Sequence, residues 1–350
     1  MADATTVIDE QANDTLPSLK SQRVMWFGIL FSLIFTGVIW LAGQRLVAIP
    51  HLPDSGPSWY YWKLPEATSW GRLTAWGFYA LHQVSLWGLI YYAQTRVKRY
   101  SEDLHQVNLI ALILNAIFIL LHFLQTHLWY DGLAQDVSIW SSQASVILLL
   151  VMVLLMENKR RGLFFGRKAP LSSSTMDFVR RYHGYFFSWG ILYTFWYHPM
   201  EPTSGHLLGF FYMFLLMLQG SLFFTRIHLN RWWMLVQEVL VAAHGTLVAV
   251  MTANGMWPMF FFGFTGIFVI TQMHGLRWRL RTRLAILTVY LLGAFAVYSQ
   301  RGLSMIHQIT WIPFIEYLAV FLLAGLIASG LWLARRLQPS RLDMSGERSS

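Results

Sequence analysis

The sequence contains 350 residues, of which 55% are hydrophobic and only 12% are charged, and its mean hydropathy is +0.44. This composition excludes an ordinary soluble domain and is typical of an integral membrane protein. The net charge of +9 does not indicate nucleic-acid binding, because the basic residues cluster between apolar segments, and the absence of cysteine excludes disulfides and thiolate-bound haem.

The apolar segments predict an all-α, polytopic membrane bundle of about ten transmembrane helices, because most are long enough to cross about 30 Å of hydrocarbon. Residues 1–22 are predicted to form a flexible polar tail, residues 23–336 a single transmembrane domain, and residues 337–350 a second polar tail. Spans eight and nine are short, so eight crossings with re-entrant segments are an alternative. The predicted spans cover residues 26–49, 73–93, 107–128, 137–156, 183–198, 207–225, 232–253, 259–276, 284–299 and 314–334.

The loops that connect these spans differ strongly in charge. One set holds most of the Arg and Lys residues, with the largest basic run at residues 157–182, whereas the other set holds only Arg45, Lys63, Arg72 and Arg301. Basic loops are retained in the cytoplasm during membrane insertion. We therefore predict that both termini are cytoplasmic and that the protein lies in the inner membrane of a bacterium, in contact with lipid.

The segment from His183 to His206 combines a predicted helix with several potential metal ligands. His183 and His198 are separated by about 22 Å of helical rise and roughly 60° of rotation, so both imidazoles lie near one face of the helix. Pro199 then ends the helix, and Glu201 and His206 follow in a short loop. Imidazole binds haem iron and transition metals, so this segment is predicted to be functional.

Histidines at two depths of the bundle predict one or two b-type haems. His82 and His244 lie deep in their predicted helices, and three histidines are followed by glycine, which would leave room for a flat macrocycle. The alternative is that these glycines allow close helix packing and that the histidines are interfacial. The predicted haem ligands are His82, His183, His244 and His274.

A second predicted site lies on the less basic side, where two loops contain histidines and carboxylates. Its predicted metal ligands, which suit non-haem iron or zinc, are His122, His127, His198, Glu201 and His206. His122 and His127 differ by about 140° around an ideal helix, so His127 is expected to be a bystander. No HxxxH or HExxH motif is present, so spacing does not identify the metal. Asp131 and Asp136 are expected to cap the helix that follows them.

The predicted function is that of a membrane oxidoreductase that uses histidine-bound haem b or non-haem iron and acts on a quinone or lipid-like substrate. One alternative is a transporter or a cofactor-free scaffold whose histidines line a solute path. Another is a metal-dependent, lipid-modifying enzyme. Glu238 is interpreted as the only carboxylate clearly inside a span, and with His244 on the same helix it would serve a proton or cation route. Six residues, about 600° of rotation, separate the two side chains, so they face opposite ways and would serve different neighbours.

Overall fold

The computed structural model describes residues 17–53, 63–97, 99–252 and 255–337. Within these ranges the chain forms α-helices joined by short turns and 3₁₀ segments, with no β-strand, so the predicted all-α class is confirmed. Most of the two predicted polar tails lies outside the described residues. The N-terminal tail is nevertheless shorter than predicted, because the first helix already begins at Leu19.

Ten α-helices lie in the described part of the chain, and each corresponds to one predicted apolar segment. In order they are α1 Leu19–Gly43, α2 Ser69–Arg96, α3 Gln106–Trp129, α4 Ile139–Arg161, α5 Ser173–Tyr197, α6 Ser204–Ser221, α7 Arg231–Met251, α8 Trp257–Ile270, α9 Leu280–Arg301 and α10 Trp311–Leu337. Four 3₁₀ segments accompany them, at Gln44–Ala48, Leu133–Gln135, Gln272–Leu276 and Leu303–Thr310.

Six helical segments are long and apolar enough to cross a membrane. They are Leu19–Ala48, Gln106–Trp129, Ile139–Arg161, Arg231–Met251, Leu280–Arg301 and Leu303–Leu337. The apolar helix α8 is shorter, with 14 residues. Large apolar side chains such as Phe27, Val84, Val289 and Leu326 are exposed on the outside of the bundle. Apolar surface on this scale is not stable in water, so the fold indicates a membrane protein.

Five of the ten described α-helices begin after a small polar side chain that accepts a backbone N–H group, as expected for N-caps. These caps are Ser18, Thr68, Ser138, Thr203 and Asn230. The expectation that Asp131 and Asp136 cap α4 is therefore wrong, because Ser138 performs that role. Asp136 instead accepts a hydrogen bond from the Trp76 indole at 3.0 Å and pairs with Arg72 at 2.9 Å.

The largest buried cluster lies where α2, α3, α5 and α6 meet, and Phe195, Trp196 and Phe210 are almost completely buried in it. Helix α5 supplies much of this core and also packs against α4. Because Tyr197 ends α5 within the same cluster, the segment that follows begins against a rigid, aromatic wall. This packing fixes the position of His198 and of the loop beyond it.

A buried ion pair joins α4 to α7. Arg161, at the end of α4, donates from Nη1 to both carboxylate oxygens of Glu238 in α7, at 3.0 and 2.8 Å. Glu238 is not the only carboxylate inside the helical bundle, because Glu316 in α10 is also buried. The sequence-based interpretation of Glu238 as the only such carboxylate is therefore wrong.

Candidate functional site

Most of the histidines predicted on the less basic side meet at one end of the bundle. We define the His198 cluster as the group formed by the ends of α3 and α5, the start of α6, one residue of α7 and the segment after α1. Its members are His51, His122, Tyr130, His198, Glu201, His206 and His244. Only residues 198–203 join α5 to α6. Because this connection is short and both helices pack in the core, the core also fixes the position of the cluster.

Backbone contacts hold the two loops of the cluster against each other. The loop between α5 and α6 turns through a hydrogen bond from Glu201 N to Pro199 O, and Pro202 packs closely against Gly43 of α1. The loop after α3 crosses the end of α5 so closely that a Cβ atom at Gly132 would lie 2.6 Å from the carbonyl oxygen of Tyr197. Only glycine therefore allows this approach.

A hydrogen-bonded series leads from the surface to a buried carboxylate. The hydroxyl of Tyr130 donates to Glu201 Oε1, so the same hydroxyl oxygen accepts from His51 Nε2, at 2.7 Å. His51 Nε2 also lies 3.5 Å from Glu201 Oε1. The His51 side chain is 23% exposed and that of Glu201 only 6%. The series therefore links a buried acid to a more accessible imidazole.

Two further imidazoles lie on the other side of Glu201. His206 Nδ1 is 3.6 Å from Glu201 Oε2 and 2.7 Å from the Thr203 hydroxyl, which also caps α6. The rings of His206 and His198 meet edge to face, with centroids 4.7 Å apart. Glu201 thus lies between the Tyr130 hydroxyl and a packed pair of histidines.

His122 and His244 complete the cluster from α3 and α7. His122 Nε2 donates to the carbonyl oxygen of His198 at 3.1 Å, and its ring packs on Trp196 at 4.3 Å. His244 reaches α6 because a glycine faces it, and a Cβ atom at Gly209 would lie 3.0 Å from His244 Nε2. The predicted haem ligand His244 therefore belongs to the same cluster as the predicted metal ligands.

Burial determines the charge of the groups in the loop between α5 and α6. Removal from water raises the pKa of Glu201 to about 7. Burial also lowers the pKa of His198 well below its usual value, and the nearby His206, His122 and His244 oppose a further positive charge there. Near neutral pH the cluster therefore contains a neutral His198 imidazole beside a carboxyl group that readily gains and loses a proton.

The structure brings together four of the five predicted metal-site residues, namely His122, His198, Glu201 and His206. The fifth, His127, lies apart from them, where Arg45 Nε donates to its Nδ1 at 3.2 Å and Phe123 packs against its ring. His51 and Tyr130 are not among the site residues predicted from the sequence. The sequence feature that indicates His51 is its position directly after the first predicted span, at the same membrane depth as the other two loops.

Two of the predicted haem ligands have both ring nitrogens engaged. His82 Nδ1 accepts from the Trp196 indole at 3.3 Å, and its Nε2 donates to Asn115 Oδ1 at 2.8 Å. His274 Nδ1 accepts from Arg283 at 3.0 Å, and its Nε2 donates to the Val269 carbonyl oxygen at 3.2 Å. Iron binding at either residue would break these bonds, which favours structural roles for both.

Two of the three glycines that follow histidines are closely packed. In each case a Cβ atom would meet a side chain of a neighbouring segment: Phe264 at Gly245 (2.9 Å), Arg161 at Gly275 (3.2 Å) and Ile90 at Gly184 (3.5 Å). Protein thus fills the space beside Gly245 and Gly275, whereas the contact at Gly184 is an ordinary van der Waals distance. This packing favours the alternative in which the glycines allow close approach of helices.

Across the described ranges, no three His, Asp or Glu side chains are arranged closely enough to hold a metal ion. Comparisons with protein-family models, with curated proteins and with solved structures found no match to this chain. The functional interpretation therefore depends on the chemistry of the His198 cluster itself.

Proposed function

We propose that this chain is a membrane oxidoreductase that oxidises a quinol or a similar lipid-soluble substrate at the His198 cluster, with histidine-bound haem b or non-haem iron as the electron acceptor. The observation that supports this proposal is the hydrogen-bonded series from His51 through Tyr130 to Glu201. A buried acid with an outlet to the surface is the feature that quinol oxidation requires and that a purely structural cluster does not.

The roles of the cluster residues follow from the electrons and protons that quinol oxidation releases. Oxidation of one quinol to a quinone releases two electrons and two protons. Ferric iron accepts one electron at a time, so one quinol would reduce two ferric centres. Glu201 has a pKa of about 7, which suits a general base operating near neutral pH. A proton taken up by Glu201 would leave through Tyr130 to His51, whose side chain is the more exposed, with the hydrogen bonds reversed so that Glu201 donates to the Tyr130 hydroxyl and that hydroxyl donates to His51 Nε2. The neutral His198 and His206 would hydrogen-bond and orient the substrate hydroxyl groups.

In the proposed topology the chain crosses a bacterial inner membrane an even number of times, most simply ten, and both termini are cytoplasmic. The charge distribution supports it, because Lys159, Arg160 and Arg161 lie at the C-terminal end of α4 and Arg167 in the loop after it, at the end of α4 opposite to the His198 cluster. In this orientation the cluster faces the outside of the cell. Protons released from the substrate would therefore leave on the outer side.

Reporter fusions test this orientation. Fusions within residues 157–182 and at the C-terminus are expected to report a cytoplasmic location, and a fusion within residues 200–206 is expected to report the opposite side, because basic loops are retained in the cytoplasm. Fusions in the loop between α9 and α10, at residues 302–310, give a matched control for the outer side. A periplasmic signal from residues 157–182 would reverse the orientation.

Metal analysis and quinol titration test the proposed reaction. Protein purified from iron- and haem-replete cells is expected to contain iron, and a water-soluble quinol is expected to reduce that iron, with release of two protons per quinol. Absorption spectroscopy reports the reduction and a pH-sensitive dye reports the protons. Protein that contains no iron, or iron that quinol does not reduce, would contradict the proposal.

A transporter is the second candidate, and one observation favours it. Buried polar groups continue from the cluster toward the other end of the bundle: Trp196 donates to His82, His82 to Asn115, and Asn115 Nδ2 to Ser221 Oγ at 2.9 Å. Such chains more often hold helices together than conduct ions. If the purified protein is free of iron, a measurement of proton flux across proteoliposomes would test this second function.

A further inference from the structure

A second pair of histidines lies away from the His198 cluster, near the other end of α5. His183 is in the first half of α5, and His228 is in the turn between α6 and α7. Their ring centroids are 6.3 Å apart, and the ring planes differ by 37°. We name these two residues the His183 pair. His183 is among the haem ligands predicted from the sequence, but no partner in this turn was predicted for it.

Both imidazoles of the pair are held in the same tautomer. His183 Nδ1 lies 2.6 Å from the carbonyl oxygen of Arg180, and His228 Nδ1 lies 3.0 Å from that of Gln219. A carbonyl oxygen only accepts, so each Nδ1 carries the hydrogen and each Nε2 carries a lone pair. Among the described residues neither Nε2 has a hydrogen-bond partner. This arrangement, in which a backbone carbonyl orients the ring, is typical of histidines that ligate metals through Nε2.

The turn that contains His228 is also fixed in place. Gln219 Nε2 donates to the His228 carbonyl oxygen at 3.0 Å, so Gln219 contacts both the ring and the backbone of His228. The Trp233 indole donates in turn to Gln219 Oε1 at 2.6 Å. The His228 ring makes one of these bonds, and the other two hold its backbone and Gln219 in place, so the ring loses little further conformational entropy on binding a ligand.

We propose that His183 and His228 are the two axial ligands of a haem b iron. Metal–nitrogen bonds of about 2.0–2.1 Å place two imidazoles on opposite sides of one metal with ring centres roughly 6 Å apart. The observed separation of 6.3 Å agrees with this spacing. The inference deepens the proposed function, on whose iron-based chemistry it rests, by placing one cofactor near the end of the bundle opposite to Glu201.

The surrounding charge favours haem over a free divalent cation. Arg180 and Arg181 precede His183, whereas Arg226 and Arg231 flank His228, and residues 178–186 and 222–231 contain no acidic residue. A free divalent cation would be repelled by this environment. Haem b instead carries two propionate groups, and arginine is the residue best suited to bind carboxylates. The ligand class is therefore an anionic macrocycle with an iron centre.

Ligand variants of the full-length protein test the assignment. Purified wild-type protein is expected to contain haem with a low-spin spectrum, and His183→Ala and His228→Ala are each expected to lose the low-spin signal. Added imidazole is expected to restore it by occupying the vacated position, an effect that a merely structural residue would not show. His274→Ala is the matched control on the same side of the bundle, because both its ring nitrogens are already hydrogen-bonded.

A second variant keeps the inference testable if the alanine variants do not fold. His183→Met retains a ligand and most of the side-chain volume, and it is expected to raise the haem reduction potential, as methionine ligation does in other haem proteins. Wild-type protein without haem, an unchanged potential in His183→Met, or loss of the low-spin signal only in His274→Ala would overturn the assignment.

These outcomes are distinct from failure of the proposed function. Protein that contains quinol-reducible, non-haem iron would overturn the His183 pair as a haem site and leave quinol oxidation in place. Conversely, haem lost in the His183→Ala and His228→Ala variants but not reduced by quinol would retain the pair and contradict quinol oxidation.

Discussion

Replacement of Glu201 by Gln is expected to lower the rate of quinol oxidation by a factor of roughly 10²–10⁴, the usual contribution of a positioned proton acceptor. The amide has nearly the same shape and still accepts the hydrogen bond from the Tyr130 hydroxyl, but it cannot take up a proton. Steady-state oxidation of a water-soluble quinol measures the effect. Glu316→Gln is the matched control, because Glu316 is equally buried but lies outside the His198 cluster.

The pH dependence of the same variant provides a second measurement. Burial raises the pKa of Glu201 to about 7, so the fraction of the reactive carboxylate grows as the pH rises through 7. The wild-type rate is therefore expected to rise over this range, and the rate of Glu201→Gln is expected to lack this rise. An infrared carboxyl band that titrates near pH 7 in the wild type should also be missing from the variant. Identical rates and pH profiles would exclude Glu201 as the proton acceptor.

The raised pKa has the opposite consequence for stability. A glutamate in the unfolded chain has a pKa of about 4.3, so between about pH 4.3 and 7 the folded protein binds the proton more tightly than the unfolded chain does. The contribution of Glu201 to the free energy of unfolding is therefore fully present below about pH 4.3 and is lost as the pH rises toward 7. A rise in pH toward 7 is thus expected to increase the rate of quinol oxidation and to decrease the contribution of Glu201 to the free energy of unfolding.

The helices were predictable from sequence because hydrophobic length and loop charge are local properties. The same is true of the grouping of His198, Glu201 and His206, since these residues lie on one short loop between Tyr197 and Ser204. His122 was predictable from its depth alone. In each of these cases residues close in sequence, or at one membrane level, are also close in space.

The remaining parts of the cluster depend on tertiary contacts that leave no local signal. Tyr130 ends α3 with a positive φ of 42°, which is uncommon for an aromatic residue, and its hydroxyl joins His51 to Glu201. His244 enters the cluster only because Gly209, on another helix, leaves space for its ring. Periodicity within one helix specifies neither relationship.

The partner of Glu238 was also invisible in the sequence. Arg161 is one of three consecutive basic residues. In the sequence these residues are typical of a solvent-exposed loop that is retained in the cytoplasm. In the structure Arg160 remains near the surface, beside Glu157, whereas Arg161 turns inward. A one-residue difference on a helix is about 100° of rotation, and this rotation separates a surface charge from a buried one. The two arginines therefore form a natural pair for comparison.

Arg161→Met is expected to lower the free energy of unfolding by roughly 3–5 kcal/mol, the usual effect of removing one partner from a buried ion pair. The Arg161 side chain is 2% exposed and that of Glu238 is 9% exposed, so the remaining carboxylate would have little water and no hydrogen-bonded counter-charge. Denaturant-induced unfolding in mixed detergent micelles measures the loss. Arg160→Met is the matched control, and its partly exposed pair with Glu157 is expected to contribute at most about 1 kcal/mol.

Removal of both charges gives the decisive comparison. Nε and Nη2 of Arg161 are buried without hydrogen-bond partners in the described part of the chain, so its two bonds to Glu238 replace only part of the hydration that the guanidinium loses. The double variant Arg161→Met, Glu238→Leu is therefore expected to recover most of the stability that either single variant loses. If the double variant is as unstable as the sum of the singles, the pair stabilises the bundle through packing and not through charge. If Arg161→Met is as mild as Arg160→Met, the buried ion pair does not form.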